Sequence, residues 1–357
     1  MRLSEAKSII KFALTKQLEL AKDKTVSHSR KIVPYLQGKV GIGKSSIVYA
    51  AAAELSEELG LKIYVKIINL AIYDPAEIAG WLMPDKEVES MKRLDPDWVN
   101  PVDFQEGDYD TIVYFFDEAV QSIGACQNIL GQILQERRIG NHYLPENSAI
   151  IGAGNRMEDR AGTNPMPTQI KDRFMFLNVD ENLEDTLAYA VEDGWSEKVV
   201  AFLGFKPEKL HVFDHDADSN ATPRTWERVS EAISNWGMPQ KLERLAVAGL
   251  IGEATTADFY AFLAVYDVIP NIDDLIKNPM TAVIPDRADV VYAVCASLAS
   301  KANPDNIGNI IKYIQRLDAG EYGAFVIKGA ISKIPNPRQN KHLREWAENG
   351  GGADLLL

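Results

Sequence analysis

One octapeptide narrows the folds open to this chain more than anything else in its 357 residues. Gly38-Lys39-Val40-Gly41-Ile42-Gly43-Lys44-Ser45 is a full G-x-x-x-x-G-K-[ST] pattern. It has meaning only between a strand and a helix. Here the apolar run Ile32 to Leu36 precedes it, and a helical pattern from Ser45 to Leu59 follows. Glycines let the backbone curl until successive N–H groups converge on phosphate oxygens, and the next helix adds its positive end. Lys44 is expected to reach the β- and γ-phosphates and the Ser45 hydroxyl to ligate magnesium. Gly38, Gly41, Ile42, Gly43 and Ser46 complete the expected cradle, and Ser46 also excludes a dinucleotide fingerprint, because it stands where that motif needs its third glycine.

Around this loop the chain alternates. Ile32 to Leu36, Leu61 to Leu70, Thr111 to Phe116, Ser148 to Gly152 and Phe174 to Val179 are short, apolar and rich in β-branched or aromatic residues, so they predict five buried strands. Helical patterns lie between several of them, at Ser45 to Leu59 and Ala119 to Arg137, and the alternation predicts a parallel sheet covered on both faces. Pro34 fits such a strand only where its missing N–H falls at an unpaired position. Before the first strand, Ile9, Ile10, Ala13, Leu14, Leu18 and Ala21 mark one face of a helix from Leu3 to Ala21. After Val179 the strand signal fades, and Leu183 to Gly194, Thr222 to Trp236, Lys241 to Leu250, Thr256 to Val265 and Val290 to Leu298 predict a helical second part, followed by a polar, Gly-rich tail.

The third strand ends abruptly in Asp117-Glu118. Two carboxylates at a strand tip are commonly structural. Beside an upstream phosphate loop they read as a magnesium holder, Asp117, and a base, Glu118, that orients and deprotonates an attacking water. The fourth strand leads into Gly154-Asn155-Arg156, where Asn155 can bond that water or a phosphate.

The phosphate loop, Phe116-Asp117-Glu118-Ala119, the run from Gly154 to Gly162, Ile170-Lys171-Asp172-Arg173-Phe174 and Ala221-Thr222-Pro223-Arg224, in this order, resemble the AAA+ superfamily and within it the MoxR-like and dynein-related branch. The resemblance spans Ile32 to Trp236. It implies an α/β fold, a P-loop parallel sheet flanked by helices followed by a helical lid, that binds ATP with Mg2+. It implies Asn155 as the sensor-1 residue, Arg173 as an arginine finger acting on a neighbouring subunit's nucleotide, and Arg224 as the sensor-2 arginine. It further implies a homo-oligomeric ring, a hexamer, acting on a protein client, with a von Willebrand A domain protein as the first partner class. The stretch Tyr73 to Asp108 resembles the branch's helix-2 insert, and Arg138 to Leu144 its hairpin; both are expected near the pore or client, unless the insert's tryptophans simply pack back on the core. The expected domains are 1–30, an N-terminal helical segment; 31–180, the ATPase domain with an insert at 73–108; 181–300, the lid; and 301–357, a helical extension and tail.

Composition limits the partners. A net charge of −13 opposes a general affinity for phosphate backbones, although Arg137, Arg138, His142 and Tyr143 offer one basic, aromatic loop to a rival reading as a nucleic-acid motor. A third reading, a nucleotide-dependent scaffold with little turnover, has no need of Glu118. Cys126 and Cys295 lack zinc or disulfide spacing, and Asp214, Asp216 and Asp218 begin a calcium-loop pattern that Ser219 and Thr225 fail to complete. No apolar run is long enough to span a bilayer, and the expectation is a cytoplasmic protein without a leader.

Overall fold

The protein is seen in a computed structural model that describes residues 1–21, 30–85, 90–159, 164–266, 270–317, 320–331 and 333–348. The apolar spacing of the first segment produces α1 (Leu3–Ala21), with Ala6, Ile10, Ala13, Leu14 and Leu18 buried along one stripe. β1 (Val33–Gln37) runs into the phosphate loop, and α2 (Lys44–Leu59) starts at its last lysine. β2 (Ile63–Asn69) is followed by an elaborated connection: α3 (Pro75–Ala79), an antiparallel hairpin of β3 (Leu82–Asp85) and β4 (Ser90–Arg93), and α4 (Val102–Glu106). Then come β5 (Thr111–Asp117), α5 (Gly124–Glu136), a second small hairpin of β6 (Arg138–Ile139) and β7 (His142–Tyr143), β8 (Ser148–Gly154), α6 (Thr168–Lys171) and β9 (Phe174–Asn178). These elements belong to the first of two compact units, Met1–Glu181.

All five strands read from the sequence join one sheet in the order β2-β5-β8-β1-β9, with every pairing parallel. Side-chain alternation sorts β5 onto two faces. Ile112, Tyr114 and Phe116 enter a core shared with α5 and Trp98, while Val113 and Phe115 enter another shared with α1 and α2. Each such fully buried aromatic stabilises the fold by about 1.5–3 kcal/mol through the apolar surface it removes from water. The helix after β5 begins at Gly124 instead of Ala119, because Glu118 takes a left-handed conformation (φ 53°) and a turn intervenes in which the Gln121 N–H donates to the Glu118 carbonyl (2.9 Å).

Pro34 is accommodated by a substitute. The β1–β8 ladder begins only at Tyr35 opposite Gly152, so the β8 backbone before that point lacks a strand neighbour on this side. Gln17, buried on α1, fills the place: its Nε2 donates to the Ile150 carbonyl and its Oε1 accepts from the Ile150 N–H, both at 2.9 Å. The same Oε1 accepts from Arg137 Nη2 at 2.6 Å. Arg137 is itself buried, and burial pushes its guanidinium down to about 9.

The second unit, Asn182–Leu357, is helical. It contains α7 (Leu183–Glu192), α8 (Glu197–Phe205), α9 (Pro223–Asn235), α10 (Gln240–Ile251), α11 (Glu253–Tyr266), α12 (Ile272–Lys277), α13 (Ala288–Lys301), α14 (Ile307–Ile314), α15 (Gly320–Ile331) and α16 (Lys341–Trp346). Phe202, Trp226 and Phe259 centre one core, and Leu298, Ile310, Tyr313 and Leu343 another. α8 has no polar face to give it a period: Val199 to Gly204 are all buried, which is why the sequence pattern missed it. After Lys301, α14 to α16 contribute Ile310, Ile327 and Trp346 to the second of these cores. None of the described helices is long and apolar enough to cross a membrane.

Replacing Gln17 with leucine keeps the volume and removes three hydrogen bonds, leaving the Ile150 backbone and the buried Arg137 short of partners. Gln17→Leu is expected to lower stability by about 2–5 kcal/mol, read as a shift in the urea midpoint of the first unfolding transition.

Candidate functional site

The phosphate loop leaves the C-terminal end of β1 with a backbone that only glycine adopts readily, φ 76° at Gly41 and 98° at Gly43. Gly38 is fixed by space instead: a Cβ there would stand 2.6 Å from the Val179 carbonyl oxygen and 2.7 Å from Ile42 Cδ1. The Ile42 side chain is buried in the α1–α2 core, so it anchors the loop and leaves its backbone to face the cradle. Ser46 is exposed in the first turn of α2.

Lys44 Nζ donates to the carbonyls of Gly38 (2.8 Å) and Lys39 (2.7 Å) and to Asn155 Oδ1 (2.8 Å). The last bond draws in the end of β8, strand neighbour of β1. From β5, the next strand over, Asp117 Oδ2 accepts from Ser45 Oγ at 2.9 Å, while its Oδ1 accepts from the Glu118 N–H, also at 2.9 Å. The ends of three adjacent strands thus bring Lys44, Ser45, Asp117 and Asn155 together, with Glu118 next in the chain. For a residue other than glycine the left-handed backbone of Glu118 is strained by about 1–2 kcal/mol, the kind of strain that collects at functional sites. Nothing in the sequence pattern announces it.

Two further supports escaped sequence reasoning because they come from the chain after β9. Arg156 Nη2 donates to the Val179 carbonyl (2.6 Å) and to Asp180 Oδ1 (2.7 Å), which holds the Asp180 carboxyl below its usual range. Lys39 pairs with Glu181 at 2.6 Å. Arg156 is therefore a brace for the Val179 wall of the loop. Tyr35, buried beneath Gly154, has its phenol raised by burial and then by the charge of Asp117.

The residues fit a magnesium–nucleotide phosphate: a loop with left-handed backbone at Gly41 and Gly43, a lysine bonded to its carbonyls, and a hydroxyl–carboxylate pair of the hard oxygen donors magnesium prefers.

Arg173 stands elsewhere. It immediately precedes β9, whose Phe174 pairs with Val33 at the start of β1, whereas the loop leaves β1 after Gln37. Five strand residues at ~3.3 Å each put roughly 16 Å between the two edges, more than an arginine side chain spans. Its guanidinium donates to the Gly131 carbonyl and to Gln135 Oε1 on α5. Arg224 lies in the second unit, exposed in the first turn of α9, behind a Thr222–Thr225 capping box.

The insert's two tryptophans divide. Trp98 is fully buried, donates Nε1–H to the Ile78 carbonyl (3.1 Å) and meets Tyr114 and Phe116 edge-on; Trp81 is 59% exposed. The expected basic loop needs correction, since Arg137 faces Gln17 inside the fold and offers nothing to a ligand. Arg138 pairs with Glu136 and lies over the Tyr143 ring. Arg160 and His28 fall outside the described residues.

Sheet order, phosphate loop and acidic strand tip together define a P-loop α/β domain, followed in the chain by a helical unit. No protein-family model matches the chain, and no curated protein matches it in sequence. Among solved structures it is similar to a RuvB variant of Thermotoga maritima, at 15% identity over 84% of this chain and 85% of the other, with a TM-score of 0.36. It is also similar to NtrX of Brucella abortus (13% identity, 94% and 67% coverage, TM-score 0.37) and to ORC2 of Aeropyrum pernix (12%, 76% and 72%, 0.42). At these scores the likeness carries no function across.

Gly154 allows β8 to pass Tyr35, and a Cβ there would come 2.2 Å from the Tyr35 hydroxyl and 2.7 Å from Val120 Cγ2. Gly154→Ala is expected to destabilise the first unit by about 1–3 kcal/mol, measured by denaturation, and unaltered stability would show that the strand end yields freely.

Proposed function

We propose that the chain is an ATP-hydrolysing AAA+ subunit that works in a homo-oligomeric ring and couples turnover to remodelling or activation of a protein partner. The observation that carries this reading is the gathering of Lys44, Ser45, Asp117 and Asn155 at one edge of the sheet, with Arg173 at the opposite edge.

In this reading Lys44 gives its ammonium to the β- and γ-phosphates of ATP, and the loop N–H groups hold the phosphate oxygens. Ser45 and Asp117 would hold magnesium, whose charge would offset that of the phosphates. Glu118 accepts the proton of the attacking water, and Asn155, tied to Lys44, orients that water. Arg173, out of reach of its own loop, acts on the nucleotide of the next subunit, where a guanidinium stabilises the charge of the transferring phosphoryl group. Arg224 is assigned to the same nucleotide as a sensor. A ring of six and a von Willebrand A domain partner are what the resemblance to the MoxR-like branch implies. A protein client is favoured over nucleic acid by the acidic balance and by the burial of Arg137.

Lys44→Ala is expected to abolish ATP binding, because the phosphates lose their point charge. Glu118→Gln is expected to bind ATP normally and to hydrolyse it about 10²–10⁴-fold more slowly; undiminished phosphate release would remove Glu118 as the base.

The arginine finger has its own test. Inactive Arg173→Ala and inactive Glu118→Gln chains, mixed, are expected to regain turnover, since some interfaces then join an intact base to an intact finger. A mixture no more active than either variant, with mixed oligomers shown to form, contradicts action between subunits.

A further inference from the structure

Between the β2–α3 connection and the chain that follows β4 lies an open groove of about 470 Å³. Tyr73 and Trp81 form aromatic walls, and Glu77, Asp95 and Asp97 bring carboxylates. None of the described residues lining it is lysine or arginine. Ile72 and Leu94, 75% and 50% exposed, extend the groove as an apolar lip.

The groove is built, not incidental. Gly80 (φ 84°) packs so closely that a Cβ would stand 2.0 Å from the Leu94 carbonyl oxygen, and the Leu94 N–H donates to the Trp81 carbonyl at 2.8 Å. Arg93 Nη1 is committed to the Gly80 carbonyl (2.8 Å), and His142, from the β6–β7 hairpin, donates Nε2–H to the Arg93 carbonyl (2.8 Å) and pairs with Asp95 through Nδ1. Arg93 and His142 thus tie the Gly80 and Asp95 sides of the groove to the neighbouring hairpin.

Asp95 has His142 as its partner, whereas neither Glu77 nor Asp97 has a cationic partner among the described residues. Glu77 Oε2 accepts from the Asp74 N–H, and Asp74 itself caps α3. Asp97 makes no hydrogen bond or ion pair with any described residue. Tyr73, Glu77 and Asp97 line the same space, and burial, then the charges of Asp97 and Glu77, raise the Tyr73 phenol. Aromatic faces and carboxylates around one space attract a cation and repel phosphate.

We propose that this groove binds a lysine or arginine side chain of an extended client segment, with a neighbouring apolar residue resting on Ile72 and Leu94. The inference rests on the protein-client reading and adds the chemistry of the segment: basic and apolar residues alternating in an unfolded stretch. An arginine enters with its guanidinium toward Glu77 and Asp97 and its plane against Trp81. Asp95, shared with His142, contributes less.

The test uses the full chain and a fluorescein-labelled decapeptide of alternating leucine and arginine, against the same peptide with neutral, nearly isosteric citrulline. By anisotropy, the arginine peptide is expected to bind about tenfold more tightly, the ratio a single charge-assisted contact supplies. Glu77→Gln/Asp97→Asn is expected to erase that preference, and Trp81→Ala, a change at an exposed residue, to weaken the arginine peptide. Asp214→Asn/Asp216→Asn, which removes the same formal charge from an exposed loop of the second unit, is expected to leave binding unchanged. Equal binding of the two peptides overturns the proposal, as does an equal loss in both double variants, which would mean that only the net charge attracts the peptide. Turnover stimulated by single-stranded DNA would sink the protein-client reading separately, and absent turnover the ATPase reading, so the failures are distinguishable.

Discussion

Three hydrogen bonds from the Lys44 ammonium join the phosphate loop to the end of β8. They end on neutral oxygens: two carbonyls of its own loop and the side chain of Asn155. Together they reflect two demands on the fold. The loop must curl back on itself, which Gly38, Gly41 and Gly43 permit, and β8 must end beside β1, which the sheet order secures. Ser45, next in the chain, then meets Asp117 from β5.

The sheet's polarity explains the separation of roles. Parallel strands present one edge of C-terminal ends, and the phosphate loop, the acidic pair and Asn155 all lie there. Arg173 sits at the other edge, held against α5 by Gly131 and Gln135. In the proposed ring, the Arg173 edge of one copy would meet the phosphate-loop edge of the next. Gln17 has a quieter part in the same scheme. By completing β8 where Pro34 cannot, and by bonding Arg137 at the end of α5, it ties the first helix to the element that carries the Arg173 support.

Much of this was legible in the sequence because the five strands are apolar runs with little competing periodicity, and because the phosphate loop is a contiguous word. Strand order, and with it the distance of Arg173 from its own loop, was not, since register between β1 and β9 is set by contacts some 140 positions apart along the chain. The left-handed Glu118 left no trace in residue type. Arg137 misled for a physical reason: an arginine beside another arginine reads as solvated, and only the distant Gln17 makes its burial tolerable. α8 was missed because helices apolar all round have no stripe to detect. The acidic groove needed three dimensions altogether, as Tyr73, Glu77 and Asp97 become neighbours only once the β3–β4 hairpin folds back.

The claim underneath all of this is that the cradle between β1, β5 and β8 binds a magnesium-complexed nucleoside triphosphate. Calorimetric titration of the intact chain with a non-hydrolysable ATP analogue, with and without magnesium, tests it most directly. The account predicts one saturable site per chain that tightens when magnesium is present, because Ser45 and Asp117 then share the ion with the phosphates. No heat of binding at millimolar analogue in either condition would contradict it.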